Sequence, residues 1–367
     1  MPRKEDKPEP RAGDHVADHI LEGLRAGQDR TPRQHLGCSI LGRECEREIW
    51  YTWRWCSDTI HPGRLIRLFR RGQLEEEQVV ADLRAIGIEV HDHDSTTGEQ
   101  FRVTDFGGHL GGSLDGAVAN VPGYGPTWMV LEIKTANAKS FRDLQRKGVK
   151  ESKPEHFAQM QLYMRKTGMG GALYVAVCKD DDQIHTEVVQ LDKAFADELL
   201  AKAERILRSA EPPAKISESP AWYKCKFCDH RAHCHGEDAP RASCRSCVHA
   251  TPELDGDFPL RWKCELRNEY RTHAEQIAGC DQHLYVPGLL AFADVIDADP
   301  DGAWIAYKSE QGVHFKNGLA DKHTPDDPAP WPSQAIEQLG AKVLTDDPLL
   351  ESIRRNFGPI RIENPEQ

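Results

Sequence analysis

Five stretches of the chain read as strands, and others repeat with the spacing of helices. WMVLEIKT (128–135) is rich in β-formers, and strand geometry would put Glu132 and Lys134 on one face with Ile133 buried behind them. IEVHD, FRVTDFGGHLGGSLDGAVAN, GALYVAVCKD and QIHTEVVQL also read as strands. KAFADELLAKAERILRSA (193–210) is an amphipathic helix, and EHFAQMQLYMRKTG a second helix at about 155–167. Residues 35–85 read as helical, with REIWYTWRW and EEEQVVADLRAIG carrying the apolar positions. The order helix, strands, helix, strand, helix predicts an α/β domain with a mixed central β-sheet flanked by helices.

Composition bounds the rest. The chain has 367 residues, 39% hydrophobic and 29% charged, which allows one sizeable core plus small accessory modules. No apolar run approaches the roughly 20 residues of a membrane span, so no membrane association and a cytoplasmic location are expected. MPRKEDKPEPRAGDH is charged and proline-rich, and residues 1–30 are expected as a disordered tail rather than a signal peptide. EPPAKISESPAW then separates the α/β domain, 31–236, from a cysteine-rich module at 240–285. Residues 286–367 read as a small α+β element with a hairpin in WIAYKSEQGVHFKNG and a helix in LLESIRRNFG.

The net charge of −12 argues weakly against a nucleic-acid partner, because a local face can be basic on an acidic chain. Two runs are basic. RLIRLFRRG carries Arg64, Arg67, Arg70 and Arg71, and Lys134 to Lys153 holds seven Lys or Arg side chains against Asp143 and Glu151. Either alone reads equally well as a solvated helix face.

The chemistry concentrates between GGSLDG and LEIKT. Asp115, Glu132 and Lys134 place two acids and an amine where neighbouring strands meet, an arrangement able to hold a hard divalent cation and orient a water for phosphodiester hydrolysis. Eleven cysteines without a secretion signal favour metal ligation over disulfides. Cys225-x2-Cys228-x5-Cys234 supplies three thiolates and needs a fourth. Cys244-x2-Cys247, Cys264 and Cys280 fit a four-cysteine zinc module, with His283 as a substitute ligand. Cys178, in an apolar strand, reads as core. His109 and His156 read as structural.

GGSLDG, LEIKT, the Gly72-x3-Glu76 helix and Gln159-x3-Tyr163 resemble, in order, the PD-(D/E)XK nuclease superfamily in its RecB-like exonuclease branch, over about residues 38–235. The resemblance implies that Glu76, Asp115, Glu132 and the Ile133 carbonyl bind Mg²⁺ or Mn²⁺. It gives Lys134 the attacking water and the transition-state charge, and lets Gln159 and Tyr163 contact the DNA or brace the lysine. The register among Glu75, Glu76 and Glu77 stays open. The Ser-x-Leu-x3-Cys-x-Arg-x2-Trp-Tyr run at 39–51 resembles the iron–sulfur RecB-like nucleases, among them CRISPR-associated RecB-like exonucleases and AddB-type nuclease domains. That resemblance implies a [4Fe–4S] cluster on Cys45, Cys225, Cys228 and Cys234, with Cys38 and Cys56 as competing fourth ligands and zinc as the competing metal. The second cysteine module and the C-terminal element depart from that group, and a protein partner could dock on either. The expected activity is a metal-dependent DNA exonuclease working on single strands or ends in recombination, repair or processing. A non-catalytic nucleic-acid-binding module, an RNA-directed nuclease and a redox protein are the rivals, the last disfavoured because no Gly-x-Gly-x-x-Gly follows a strand.

Overall fold

A computed structural model describes residues 14–58, 60–319 and 329–344. In chain order the elements are α1 (Asp14–Ala26), β1 (Leu36–Gly37), α2 (Glu46–Trp53), α3 (Gly63–Ala85), β2 (Glu89–His91), β3 (Arg102–Asp105), β4 (Leu110–Ser113), β5 (Gly116–Ala119) and β6 (Met129–Ala136). They continue with α4 (Ala138–Ser152), α5 (Pro154–Thr167), β7 (Gly171–Cys178), β8 (Ile184–Gln190), α6 (Lys193–Arg208), α7 (Tyr223–Lys226) and α8 (Arg231–Cys234). The C-terminal third holds β9 (Ala250–Pro252), β10 (Trp262–Cys264), β11 (Glu269–Arg271), α9 (His273–Ala278), β12 (Ala293–Ala298), β13 (Trp304–Ser309), β14 (His314–Gly318) and α10 (Ser333–Leu344).

The central sheet runs β2-β5-β6-β7-β8, with β6 and β7 parallel and the other pairs antiparallel. This is the mixed α/β sheet expected from the element order, and α4 and α5 form the crossover that parallel β6 and β7 require. One face, with Ile133, Leu131, Val175 and Val177, packs under Val79, Val80 and Leu83 of α3. The opposite face, with Val130, Tyr174 and Ala176, packs on α5 and α4. Each boundary has a local cause. The Asn137 side chain caps α4 by accepting from Ser140 N, Pro154 opens α5 at its first turn, and Gly168 closes α5 in the left-handed region at φ 77°.

Three expectations change. Residues 14–26 were expected within the disordered tail and instead form α1; Leu21 and Leu24 share one half-buried side against α3, an amphipathic spacing that the charged first residues overshadow. So closely does α1 lie on α3 that a Cβ at Gly63 would fall 1.9 Å from the Leu21 carbonyl oxygen. Residues 1–13 and the expected helix LLESIRRNFG lie outside the described residues. The helical run expected from 35 is broken at its start: Leu36–Gly37 pairs in parallel with Leu110–Gly111, and a short 3-10 turn follows. The hairpin in WIAYKSEQGVHFKNG is β13–β14, and β12 extends it to three strands.

The cysteine-rich segment is not a detached bead. One apolar cluster runs from Leu36 through Trp50 and Trp53 to Trp262, Tyr285, Phe315 and Leu344. At its joint two buried arginines are sandwiched between tryptophans. Arg54 lies 5.0 Å from the Trp50 ring centre and 5.1 Å from Trp262, while Arg245 lies 3.7 Å from Trp55 and 4.9 Å from Trp262. Carbonyls stand in for counter-ions: Arg54 Nη1 donates to Arg245 O and Arg245 Nη1 to Trp53 O, both at 3.1 Å. Trp262 is fully buried, so Trp262→Ala is expected to cost about 3–5 kcal/mol, read as a lower urea midpoint. An unchanged midpoint would mean that the two segments are not joined through it.

Candidate active site

Asp115 sits in the turn from β4 into β5. β5 begins at Gly116 opposite Leu131, so the next N–H on that edge of β6, that of Ile133, has no strand partner. The Asp115 carboxylate takes it, with Ile133 N donating to Oδ2 at 2.7 Å. Strand alternation turns Glu132 and Lys134 to one side and Ile133 to the other, where it is buried among Leu131 and Val175. Lys134 then bridges the acids: Nζ contacts Glu132 Oε1, lies 3.6 Å from Asp115 Oδ2 and donates to the Ile133 carbonyl at 3.0 Å. The carbonyl expected to face a metal is therefore engaged by the lysine here.

Glu132 is completely buried, and its Oε2 has no hydrogen-bond partner. Burial, with Asp115 and Glu76 nearby, pushes its carboxyl up to about 7 against the pull of Lys134. Glu76 comes from α3. Burial and the Asp115 charge push it up to about 7 as well, and the Lys134 charge opposes that rise. Burial works against the Lys134 ammonium, but Glu132 and Asp115 outweigh it and hold the group charged. Three carboxylates thus converge on one ammonium, leaving a site that is anionic when ionised. Among the three neighbouring glutamates, it is Glu76 that faces Asp115 and Lys134.

Gln159 and Tyr163 stand one helical turn apart on α5. Both are buried and bonded to each other, Nε2 to the phenol oxygen at 3.1 Å, rather than presented to solvent. The Tyr163 ring lies flat against β4, where a Cβ at Gly112 would fall 2.6 Å from its hydroxyl, so only glycine fits. His156 is half-buried, with Nδ1 2.9 Å from the Tyr174 hydroxyl; burial first, then the Lys134 and Lys153 charges, push it down to about 3. His109 belongs to the tryptophan joint, its Nε2 at 3.2 Å from Arg261 O. Beside the site, Asn137, Lys139, Ser140, Arg142, Arg146 and Lys153 line an open groove on α4, with Asp143 paired to Arg146 among them. On the α3 side Arg71 donates to the Lys179 carbonyl, next to the end of β6. The two basic runs of the sequence therefore come near the same strand end.

Cys45, Cys225, Cys228 and Cys234 line a single cavity, with Arg47, Tyr51 and His230. Cys45 is the N-cap of α2, yet its thiol makes no capping bond. Cys38 and Cys56 are buried in the core and do not line that cavity, and Cys178 is core as expected. Cys244, Cys247, Cys264 and Cys280 line a second cavity together with His249 and His283. His283 Nε2 lies 3.1 Å from Ser246 Oγ. All of these thiols are free, and among the described residues no group of three or more His, Cys, Asp or Glu is drawn together in the arrangement of a formed metal site. The cavities gather the donors without closing on a point.

The arginine–tryptophan joint was missed in the sequence, although four tryptophans or tyrosines within REIWYTWRW and a lone Trp262 were its only signal.

The model of the PD-(D/E)XK nuclease superfamily matches residues 16–235, more than half of the chain. The chain belongs to the PD-(D/E)XK nuclease superfamily. Among solved structures it is similar to the alkaline exonuclease LHK-Exo of Laribacter hongkongensis in complex with dAMP, at 21% identity, 51% of this chain, 90% of that chain and a TM-score of 0.36. It is also similar to a phage related exonuclease from Haemophilus somnus 129PT, at 14% identity, 47% of this chain, 91% of that chain and a TM-score of 0.34. No curated protein matches. Members of the superfamily use Mg²⁺ or Mn²⁺. Among the described residues no helix is long and apolar enough to cross a membrane.

Proposed function

We propose that this chain is a divalent-metal-dependent DNA exonuclease. The observation that carries the reading is the convergence of Glu76, Asp115 and Glu132 on Lys134, with a buried Glu132 oxygen left without a hydrogen bond. A hard cation suits that donor set. Mg²⁺ or Mn²⁺ held by Glu76, Asp115, Glu132 and the Ile133 carbonyl would supply positive charge at the scissile phosphate and acidify a bound water. Lys134 orients the attacking water, takes up its proton or shields the negative charge of the transition state, and it is positioned for this by the two acids. Gln159 and Tyr163 brace the β4 turn that presents Asp115. The exonuclease assignment rests on the order of the motifs, which resembles the RecB-like branch, and the basic groove of α4 gives the DNA backbone a place to lie.

The first cysteine set is the proposed holder of a [4Fe–4S] cluster and the second of Zn²⁺. In each case the fit is four free thiols lining one cavity.

End-labelled single- and double-stranded DNA, incubated with Mg²⁺ or Mn²⁺ and with an EDTA control, tests the activity. Mononucleotides or short oligonucleotides released from the start of the reaction are expected, and none with EDTA. Internal cuts first would replace exonuclease by endonuclease, and no hydrolysis with either metal would overturn the reading.

The raised carboxyls give a second test. Glu76 and Glu132 titrate near 7 in the folded, metal-free chain and near the ordinary carboxylate value when unfolded. Between those values the folded state binds more protons, so their contribution to stability is present below about pH 4 and is lost as pH rises through about 7. A divalent ion competes with those protons and binds only the folded site. The rise in Tm on adding Mn²⁺ is therefore expected to be larger at pH 8 than at pH 6. An equal rise at both values would detach the metal from these carboxylates.

A further inference from the structure

We propose that Trp222, Tyr223 and Phe227, with Lys224 and Lys226 between them, form a stacking platform for single-stranded nucleic acid on the outer wall of the first cysteine cavity. The segment reads WYKCKFC (222–228). Its thiols and rings point opposite ways: Cys225 is buried, while Trp222, Tyr223 and Phe227 are 45%, 59% and 81% exposed. Three large rings on one short stretch, left in water, are unusual for a surface that only needs to be soluble. Trp222 and Tyr223 lie side by side, their ring centres 4.9 Å apart.

The cations are threaded through the rings. Lys224 Nζ lies 5.7 Å from the Tyr223 ring centre and also pairs with Glu44, while Lys226 Nζ lies 5.8 Å from that of Phe227. Lys226 makes no ion pair among the described residues. Rings alternating with lysines are what a single strand requires, because each unpaired base offers a face to stack on and each phosphate a charge to meet. A duplex hides its base faces. On a chain of net charge −12 the two lysines give a polyanion a local favourable charge.

The platform connects to the active site through a chain of packed and paired residues. Lys134 and Lys153 both bear on His156 in the first turns of α5. The start of α5 packs on Gly42, where a Cβ would fall 2.8 Å from Ala158 and 2.9 Å from Glu155. Arg43 reaches Glu155 at 3.6 Å, and the next residue, Glu44, holds Lys224. Arg43, paired with Glu48 and Glu155, and Lys224, paired with Glu44, thus lie between the α4 groove and the rings, and Lys226 adds an ammonium with no ion pair among the described residues. The inference deepens the proposed nuclease reading by giving the enzyme a single-stranded substrate with a second contact away from the scissile bond.

The test uses the full chain with its metals, in EDTA-free buffer with Ca²⁺ in place of Mg²⁺, and fluorescein-labelled oligothymidylate against a hairpin duplex. Trp222→Ala/Tyr223→Ala/Phe227→Ala is expected to weaken single-strand binding by about tenfold or more, since each stacked base is worth roughly five- to a hundredfold. Duplex binding is expected to change less than single-strand binding. Iron content and visible spectrum report whether the cysteine cavity is intact. If the triple variant loses its metal, Phe227→Ala, which changes the most exposed ring alone, takes its place. Unchanged single-strand binding in a variant with its metal intact overturns the platform, and so does an equal loss for both DNA forms. Wild-type protein that hydrolyses DNA but shows no ring dependence leaves the nuclease reading standing without the platform, whereas wild-type protein that neither binds nor hydrolyses DNA overturns the nuclease reading itself.

Discussion

Lys134→Met is expected to lower the rate of DNA hydrolysis by about 10³-fold, and Asp115→Asn by a similar factor, with the folded structure retained. Among the described residues the lysine is the only cation paired with the buried Glu132, and its own side chain is 27% exposed, so it faces the place where substrate would enter. Replacing it by methionine keeps the stem and removes the ammonium. Glu132 is then left beside Asp115 and Glu76 with no cation, and its carboxyl rises further and stays protonated at neutral pH. The stability penalty is consequently small at pH 6 and grows as pH rises through the folded value. That separates a chemical role from a structural one. Urea midpoints near wild type at pH 6, together with lost hydrolysis at the same pH, support the chemical role. Full hydrolysis by both variants would remove Asp115 and Lys134 from the site.

The centre of this site was legible because it is local. In WMVLEIKT two-residue alternation alone puts Glu132 and Lys134 together, and one strand pairing brings Asp115 to them. The mixed sheet was legible for the same reason, since each strand carries its own periodicity. Where long-range contacts decide, the sequence was silent. Nothing near Arg54 or Arg245 announces that two arginines would be buried without carboxylates, because their partners are tryptophan faces and carbonyls from segments far apart in the chain. Gln159 and Tyr163, four apart, are expected to contact the DNA or brace the lysine, but a third neighbour, Gly112, lets the tyrosine ring lie against β4, and both are closed off from solvent. The tail was misjudged where composition outweighed pattern, α1 being held by two half-buried leucines among exposed polar residues.

Cys225→Ser/Cys228→Ser is expected to unfold the segment 211–236 while leaving the nuclease core folded. The reason is how little else holds that segment. Of its residues only Cys225 and His230 are buried, and it contains just two single-turn helices. Arg47 donates to the Pro213 carbonyl, and Thr52 and Ser57 hold His230, but these few polar contacts cannot offset the ordering of such a length of chain. The proposed metal cross-link from Cys45 to Cys225, 180 positions later, would supply what is missing; on the loop-entropy estimate it would be worth about 5 kcal/mol. α2, which carries Cys45, is secured independently, since Ile49, Trp50, Tyr51 and Trp53 are all buried in the core. Limited proteolysis should therefore cut the double variant between 211 and 236 first, with iron and visible absorbance lost and the α/β core surviving as a resistant fragment. A wild-type protein that is colourless and contains only zinc would reassign the metal but keep the staple. Equal protease resistance in wild type and variant would remove the staple altogether, and with it the rigid base on which Trp222, Tyr223 and Phe227 stand.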